Sequence, residues 1–204
     1  MGDISFNNLS GPLPKELGSW ANIERMLLSS NNFTWELPET FAMLTKIKEF
    51  VSDSHFSGQI PDFIGNCTSL KKLLIQASGL TGPIPSGISL LTSLTDLMLR
   101  SCNLVGRLPP NLGQMAKLET LDLSFNKLTG EIPSSFASLA KVDYIFLTGN
   151  LLTGPVPTWP KDVVHVNAYL CSDLSYNNLT IGDGGCLPPG GMNLFASSSK
   201  DNSS

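Results

Sequence analysis

The sequence contains no apolar run of about 18 or more residues, so no segment of it reads as a membrane-spanning helix. Its 13 lysines and arginines form no cluster. That excludes a basic stripe for nucleic acid and a polybasic patch for a membrane surface. Histidine is scarce, with only His55 and His165. There is no C-x-x-C pair and no H-E-x-x-H, so the chain has no recognisable zinc centre. G-x-S-x-G and Walker A patterns are missing, and so are the lysine, catalytic-loop and metal-binding motifs of a phosphotransferase. The expectation is a chain with no catalytic residue, no metal and no cofactor. The amino terminus, MGDISFNNLSGPLP, has neither the charged nor the apolar region of a signal peptide. Phe6 stands where a myristoylation signal needs a hydroxyl residue.

What is present is a repeat. The stretch Leu118–Pro133, LETLDLSFNKLTGEIP, spaces Leu118, Leu121 and Leu123 as L-x-x-L-x-L and follows them with Asn126, Leu128, Gly130, Ile132 and Pro133. Residues equivalent to Asn126 are Asn7, Asn31, Ser54, Ser78, Cys102, Asn150 and Asn177. From Asn7 onward the intervals are 24, 23, 24, 24, 24, 24 and 27 residues. This is a leucine-rich repeat, whose copies cannot bury their apolar faces singly and must stack into a solenoid. An apolar content of 41% is enough for such a core.

The predicted fold class is an α/β repeat solenoid of 24-residue units. A parallel sheet lines the concave side, and irregular or short helical pieces form the convex side. Ile23, Ile47, Leu70, Leu94, Leu118 and Val142 make the first core column, and Met26, Phe50, Leu73, Leu97, Leu121 and Ile145 the second. Leu28, Ile75, Leu99, Leu123 and Leu147 make the third. The alternation within x-L-x-L-x is that of a short strand with one buried face. The marker residues Asn7, Asn31, Ser54, Ser78, Cys102, Asn126, Asn150 and Asn177 turn the chain out of the strand and form a structural ladder. An Asn amide can satisfy backbone groups of adjacent turns, and Ser does so more weakly. Downstream, Leu17, Phe41, Ile64, Ile88, Leu112 and Phe136 lie three residues after the repeat proline, and Trp20, Leu44, Cys67, Leu91, Met115 and Leu139 six after it. Both columns are assigned to the core.

Three departures stand out. The 23-residue interval is placed at Phe50–Val51, where a strand one residue short calls for a bulge or a slip. Trp35 occupies a column that is otherwise glycine from Gly11 onward, which predicts a strained turn or an exposed aromatic. The 27-residue interval marks an irregular end. The predicted organisation is a solenoid over 1–160, a degenerate last repeat and irregular end over 161–190, and a flexible tail or linker over 191–204.

The tracts NLSGPLP at Asn8–Pro14 and LTGPIP at Leu80–Pro85 match the plant-type repeat signature L-x-G-x-I-P. The chain resembles the extracellular repeats of plant receptor-like serine/threonine kinases. The order of SGQIPDFIGNCTSLKKLLIQASGLTGPIPSGIS, LETLDLSFNKLTGEIPSSF, FLTGNLLTGPVP, DLSYNNLT and NLFASSS narrows the resemblance to the subfamily VIII type. That resemblance implies a parent with a malectin-like domain, one membrane span and a cytoplasmic kinase, placed at the plasma membrane with the repeats extracellular. The kinase is absent here. An N-terminal cysteine-bearing cap is also absent, and the chain reads as a truncated member.

Candidate sites are few. N-x-S/T sequons fall at Asn8, Asn32, Asn66, Asn178 and Asn202, either as glycan acceptors or as a by-product of the repeat consensus. Cys67 and Cys102 fall in core and marker columns and read as structural thiols. Cys171 and Cys186 could close a disulfide over the last repeat in an oxidising compartment. Asp122 and Glu119 occupy variable strand positions and read as a solvated face. The candidate partner surface is the concave face: Leu27, Leu74, Met98, Asp122 and Phe146, with Ser29, Gln76, Arg100, Ser124 and Thr148 beside them. Four of the first five are apolar yet should point to solvent, and strands about 4.8 Å apart make them one stripe. The stripe is a partner surface, or another domain or flanking side chains cover it. Arg100 and Asp122 form at most a weak surface pair. The functional expectation is a non-catalytic recognition module for a protein or peptide ligand, a co-receptor ectodomain or a cell-wall glycan. The alternatives are a free-standing secreted repeat protein, such as an inhibitor of a wall-degrading enzyme, or a truncated product without activity.

Overall fold

The structure, a computed structural model, describes residues 2–34, 36–157, 174 and 176–180. Trp35, His165, Cys171, Cys186 and Asn202 lie outside the described residues, as do most of 161–190 and all of 191–204.

One strand from each unit joins a seven-stranded parallel sheet in chain order: Gly2–Asp3, Arg25–Leu27, Glu49–Ser52, Lys72–Gln76, Asp96–Arg100, Thr120–Asp122 and Tyr144–Phe146. The alternating pattern decides which face is buried. In Lys72–Gln76, Leu73 and Ile75 are fully buried while Leu74 and Gln76 are half-buried. The second core column stacks directly, Met26 on Phe50, Phe50 on Leu73, Leu73 on Leu97, Leu97 on Leu121 and Leu121 on Ile145. Each leucine thus packs against its own equivalent above and below, which a single repeat cannot provide.

The short repeat is resolved differently from the expected bulge. Glu49–Ser52 pairs in unbroken register on both sides, with Phe50 between Met26 and Leu73. The missing residue lies after the strand. Elsewhere the residue before the marker has positive φ: Phe6, Ser30, Ala77, Ser101, Phe125, Gly149 and Tyr176. The third repeat has no such residue, and its turn is one residue tighter. A residue removed from the turn leaves the strand's alternation intact, whereas one removed from the strand would flip every side chain beyond it. Ser52 takes the third core position, and its hydroxyl accepts the Ser54 N–H at 3.1 Å. Phe50 packs between Phe41 and Phe56, with ring centroids 6.3 and 6.4 Å away. These rings fill the volume that a leucine fills in other repeats.

After the marker the chain enters a second set of strands. Val105–Arg107, Lys127–Gly130, Leu151–Pro155 and Asn178–Thr180 form a four-stranded parallel sheet, and Ser10–Gly11 pairs with Asn32–Phe33. The Asn178–Thr180 strand shows that the last unit stacks on Leu151–Pro155 despite its long interval. The repeat pattern predicts only the concave sheet, so this second sheet is an addition to the expected fold. Gly130, at φ +78, makes the turn that leads out of it, a conformation that strains any residue with a Cβ.

Among the described residues six 3₁₀ helices form the convex side: Lys15–Ser19, Glu39–Met43, Asp62–Asn66, Ser86–Leu90, Pro110–Gln114 and Ser134–Ser138. Each starts immediately after a proline in extended conformation. The proline carbonyl accepts the N–H three residues on, at 2.9–3.2 Å. Proline suits that place because its fixed φ starts the turn and its missing N–H is not needed there. The column three residues after proline is buried from Phe41 to Phe136, and Leu17 is partly buried. Trp20 corrects the core assignment six residues after proline. It is 49% exposed, because the first repeat has no neighbour on its outer side among the described residues.

Candidate functional site

The outer face of the seven-stranded sheet carries three ribbons, and the strand register sets their order. Down the middle, Asp3, Leu27, Val51, Leu74, Met98, Asp122 and Phe146 lie side by side. From Leu27 to Met98 every member is apolar and half-buried. Val51 belongs to this ribbon but was not among the expected residues, because the short interval was assigned to its strand. The alternation in Glu49–Phe50–Val51–Ser52 was the signal that could have placed it.

Asp122 corrects the expectation of a solvated carboxylate and Ser124 that of an open concave-face position, while Glu119 is exposed. Asp122 is only 8% exposed and Ser124 only 4%. The Asp122 carboxylate accepts the Ser124 backbone N–H at 3.0 Å and its hydroxyl at 2.5 Å. It is thus a cap on the turn rather than a free acid. Asp3 does the same for the Ser5 N–H at 3.0 Å. Asp122 therefore interrupts the apolar ribbon with a carboxylate already engaged by its own loop. Arg100 makes no ion pair with it. The Arg100 guanidinium lies over the Phe125 ring, 5.5 Å from its centroid, and attracts the ring face.

One border of the ribbon is charged and self-neutralised. Arg25, Glu49, Lys72 and Asp96 are successive neighbours across the strands. Arg25 meets Glu49 at 2.7 Å and Lys72 meets Asp96 at 3.9 Å. Just outside, Lys48 meets Glu24 at 2.7 Å, and this hydrogen bond and charge hold the Glu24 carboxyl below its ordinary pKa. The column then turns neutral at Thr120 and aromatic at Tyr144. Tyr144 and Phe146, two apart on one strand, lie with parallel rings 6.1 Å between centroids. The other border is Ser29, Gln76, Arg100, Ser124 and Thr148. Of these Arg100 is exposed, while Ser29, Gln76 and Thr148 are half-buried.

Beneath this face runs the marker ladder. The Asn31 amide donates to the Leu28 and Ile4 carbonyls at 3.1 and 2.8 Å, and its oxygen accepts the Leu9 N–H at 3.1 Å. Asn126 bridges the Leu99 and Leu123 carbonyls and the Leu104 N–H. Asn150 and Asn177 repeat the pattern one unit further each time. Asn7, in the first unit, bonds only within its own turn and is exposed. In the middle, Ser54 reaches the Leu28 carbonyl, and Ser78 and Cys102 meet at 3.1 Å. The ladder ties each turn to the one before it and leaves the strands little freedom to slide.

Among the described residues no group of three or more His, Cys, Asp or Glu is placed to hold a metal. Cys67 and Cys102 are free and buried. Burial raises the Cys67 thiol to about 11 and also pushes the Cys102 thiol up. A thiol kept protonated is a poor nucleophile. His55 is exposed. Of the sequons, Asn8, Asn32, Asn66 and Asn178 are exposed. The Asn32 amide donates to the Asn8 side chain at 2.8 Å.

Leucine-rich-repeat family models match residues 22–44 and 92–152. Receptor-like protein 39 of Arabidopsis thaliana is 37% identical over 83 residues, covering 39% of this chain and 9% of that protein. The crystal structure of a TDR receptor superposes with a TM-score of 0.77 at 30% identity, over 88% of this chain and 30% of that one. The Arabidopsis receptor kinase HAESA, solved with the peptide hormone IDA and the co-receptor SERK1, gives a TM-score of 0.72 at 31% identity, over 87% and 30%. The chain thus spans a third or less of the length of these proteins. No helix among the described residues is long and apolar enough to cross a membrane. The chain carries the leucine-rich-repeat fold of plant receptor-like ectodomains.

Proposed function

We propose that this chain is a non-catalytic recognition segment of a plant cell-surface receptor, and that it takes a peptide across the outer face of its seven-stranded sheet. The observation that carries this reading is the ribbon Leu27–Val51–Leu74–Met98, four apolar side chains in register and half-open to solvent. A soluble fold gains nothing from leaving such a stripe uncovered. Burying one such side chain stabilises a complex by up to about 1.5–3 kcal/mol. The paired charges on one border add little attraction and no net field, so they favour a partner of matched shape rather than of one charge sign. Peptide-hormone and co-receptor complexes of proteins with this fold support the choice of partner.

The order of repeat segments supports a parent of the subfamily VIII type, with a malectin-like domain, a membrane span and a kinase, and the repeats outside the cell. The present chain then supplies contacts and rigidity, and transfers no phosphate itself.

The test is selection from a random phage-displayed peptide library on the immobilised chain, with Leu74→Asp and Met98→Asp as counter-targets. The reading expects selected peptides to bind the parent chain and to lose at least tenfold in affinity for either variant. Peptides that bind all three chains equally would overturn it.

A further inference from the structure

We infer that Asn66 carries an N-linked glycan whose first sugars cover an apolar patch on the convex side. This rests on the extracellular placement proposed above. Each 3₁₀ helix ends on an exposed residue at the same point of the repeat: Ser19, Met43, Asn66, Leu90, Gln114 and Ser138. Met43 and Leu90 break the polar pattern, at 63% and 59% exposed. Asn66 is the residue between them in the stack. A Cβ built on the neighbouring Gly65 would lie 3.1 Å from Leu90 Cδ1, so the Leu90 side chain leans back over the helix that bears Asn66.

Asn66–Cys67–Thr68 is an acceptor tripeptide with threonine in the third place. Asn66 and Thr68 are exposed, while Cys67 between them is buried and anchors the turn. Asn66 makes no side-chain hydrogen bond among the described residues. Its amide is therefore available, unlike that of Asn32, which is engaged with Asn8. A sugar ring has CH groups on its faces and hydroxyls at its rim. Tethered at Asn66, it lays apolar faces against Met43 and Leu90 and presents its hydroxyls to water. The glycan takes the part that Ser19, Gln114 and Ser138 take in other repeats, which is to keep the convex column polar.

The experiment uses the full chain secreted from plant cells behind an added leader. Enzymatic removal of glycans in heavy-oxygen water converts an occupied Asn66 to labelled Asp, read by peptide mass spectrometry. The expected result is labelled Asp at position 66. Separately, Asn66→Gln and Thr68→Ala, which both abolish the acceptor, are expected to raise the fluorescence of an apolar dye bound to the folded chain. Adding Met43→Ser and Leu90→Ser is expected to bring it back to the parent level. An unlabelled Asn66 beside a labelled asparagine at any other sequon of the chain overturns the proposal. Dye binding unchanged in both single variants overturns the shielding. Either failure leaves peptide recognition standing, because the library selection reads the opposite face.

Discussion

The Asp53 carboxylate accepts the Ser30 backbone N–H, and in doing so replaces a piece of main chain. In four other repeats the N–H of the residue before the marker reaches a carbonyl of the next unit: Phe6 to Ser29, Ala77 to Arg100, Ser101 to Ser124 and Phe125 to Thr148. The third repeat is one residue short at that point, so the equivalent carbonyl is displaced. A side chain has taken over its hydrogen bond.

Asp53→Ala is therefore expected to cost about 1 kcal/mol, the value of an ordinary hydrogen bond and less than that of a buried charged acceptor, because the bond is exposed. Inserting a glycine between Asp53 and Ser54 restores the common repeat length and supplies the missing left-handed residue. In that background the Asp53 backbone carbonyl takes the Ser30 N–H, and Asp53→Ala becomes neutral. Urea denaturation of the four chains forms a double-mutant cycle. Equal costs in both backgrounds would show that the carboxylate does not substitute for the carbonyl.

Asn126→Ala removes a buried amide that serves three carbonyls, Leu99 in the preceding repeat and Leu123 and Ser124 in its own, and one N–H. The buried groups left without partners cost about 1–3 kcal/mol each, so a total loss of about 3 kcal/mol is expected. Asn126→Ser is expected to lose less, since Ser54 and Ser78 hold the same column with fewer bonds. Native-state hydrogen exchange adds a local readout. The Leu104 amide should exchange faster in Asn126→Ala, and the Leu9 amide, held by Asn31, should not.

The core and the ladder were legible in the sequence because they depend on period alone. Met26, Phe50 and Leu73 recur at the same place, and only one stacked arrangement buries them all. Two kinds of feature were not legible by counting. The position of the lost residue near Val51 is set by tertiary register, since the sequence permits a gap in the strand or in the turn. The exposure of Trp20 depends on its place in the first of the described repeats, not on its column. Asp122 was readable with a different rule. Asp3–Ile4–Ser5 and Asp122–Leu123–Ser124 share the D-x-S pattern of an aspartate capping its own turn. The second sheet is not legible in the sequence because its strands are short and follow no clean alternation.

The buried Cys67 thiol gives a pH dependence with a definite sign. Its pKa is raised from 9.0 to about 11 by burial. Below 9 the thiol is protonated in both folded and unfolded chains, and its contribution to stability is fully present. As pH rises from 9 towards 11 the unfolded chain ionises first, and stability falls by at most about 1.4 kcal/mol per pH unit. Cys67→Ala should flatten this part of the stability profile measured by urea titration. Alkylation of Cys67 by iodoacetamide should be negligible in the native chain at pH 8 and rapid once it is unfolded.

Leu97 and Met98 are adjacent on one strand and separate the two roles of the sheet. Leu97 is fully buried between Leu73 and Leu121, while Met98 is half-buried between Leu74 and Asp122. Leu97→Ala removes core volume that rigid neighbours cannot refill, at a cost of about 2–5 kcal/mol. Met98→Ala opens no cavity, and its cost should stay within about 0.5–1 kcal/mol. Peptide binding should follow the reverse order: at a temperature where both variants are folded, Met98→Ala weakens it and Leu97→Ala leaves it near the parent value. Calorimetric melting and titration with one selected peptide measure both quantities on the same samples. A Met98→Ala chain that binds as the parent does would remove the centre of the apolar ribbon from the binding surface, since successive strands place that side chain against Leu74.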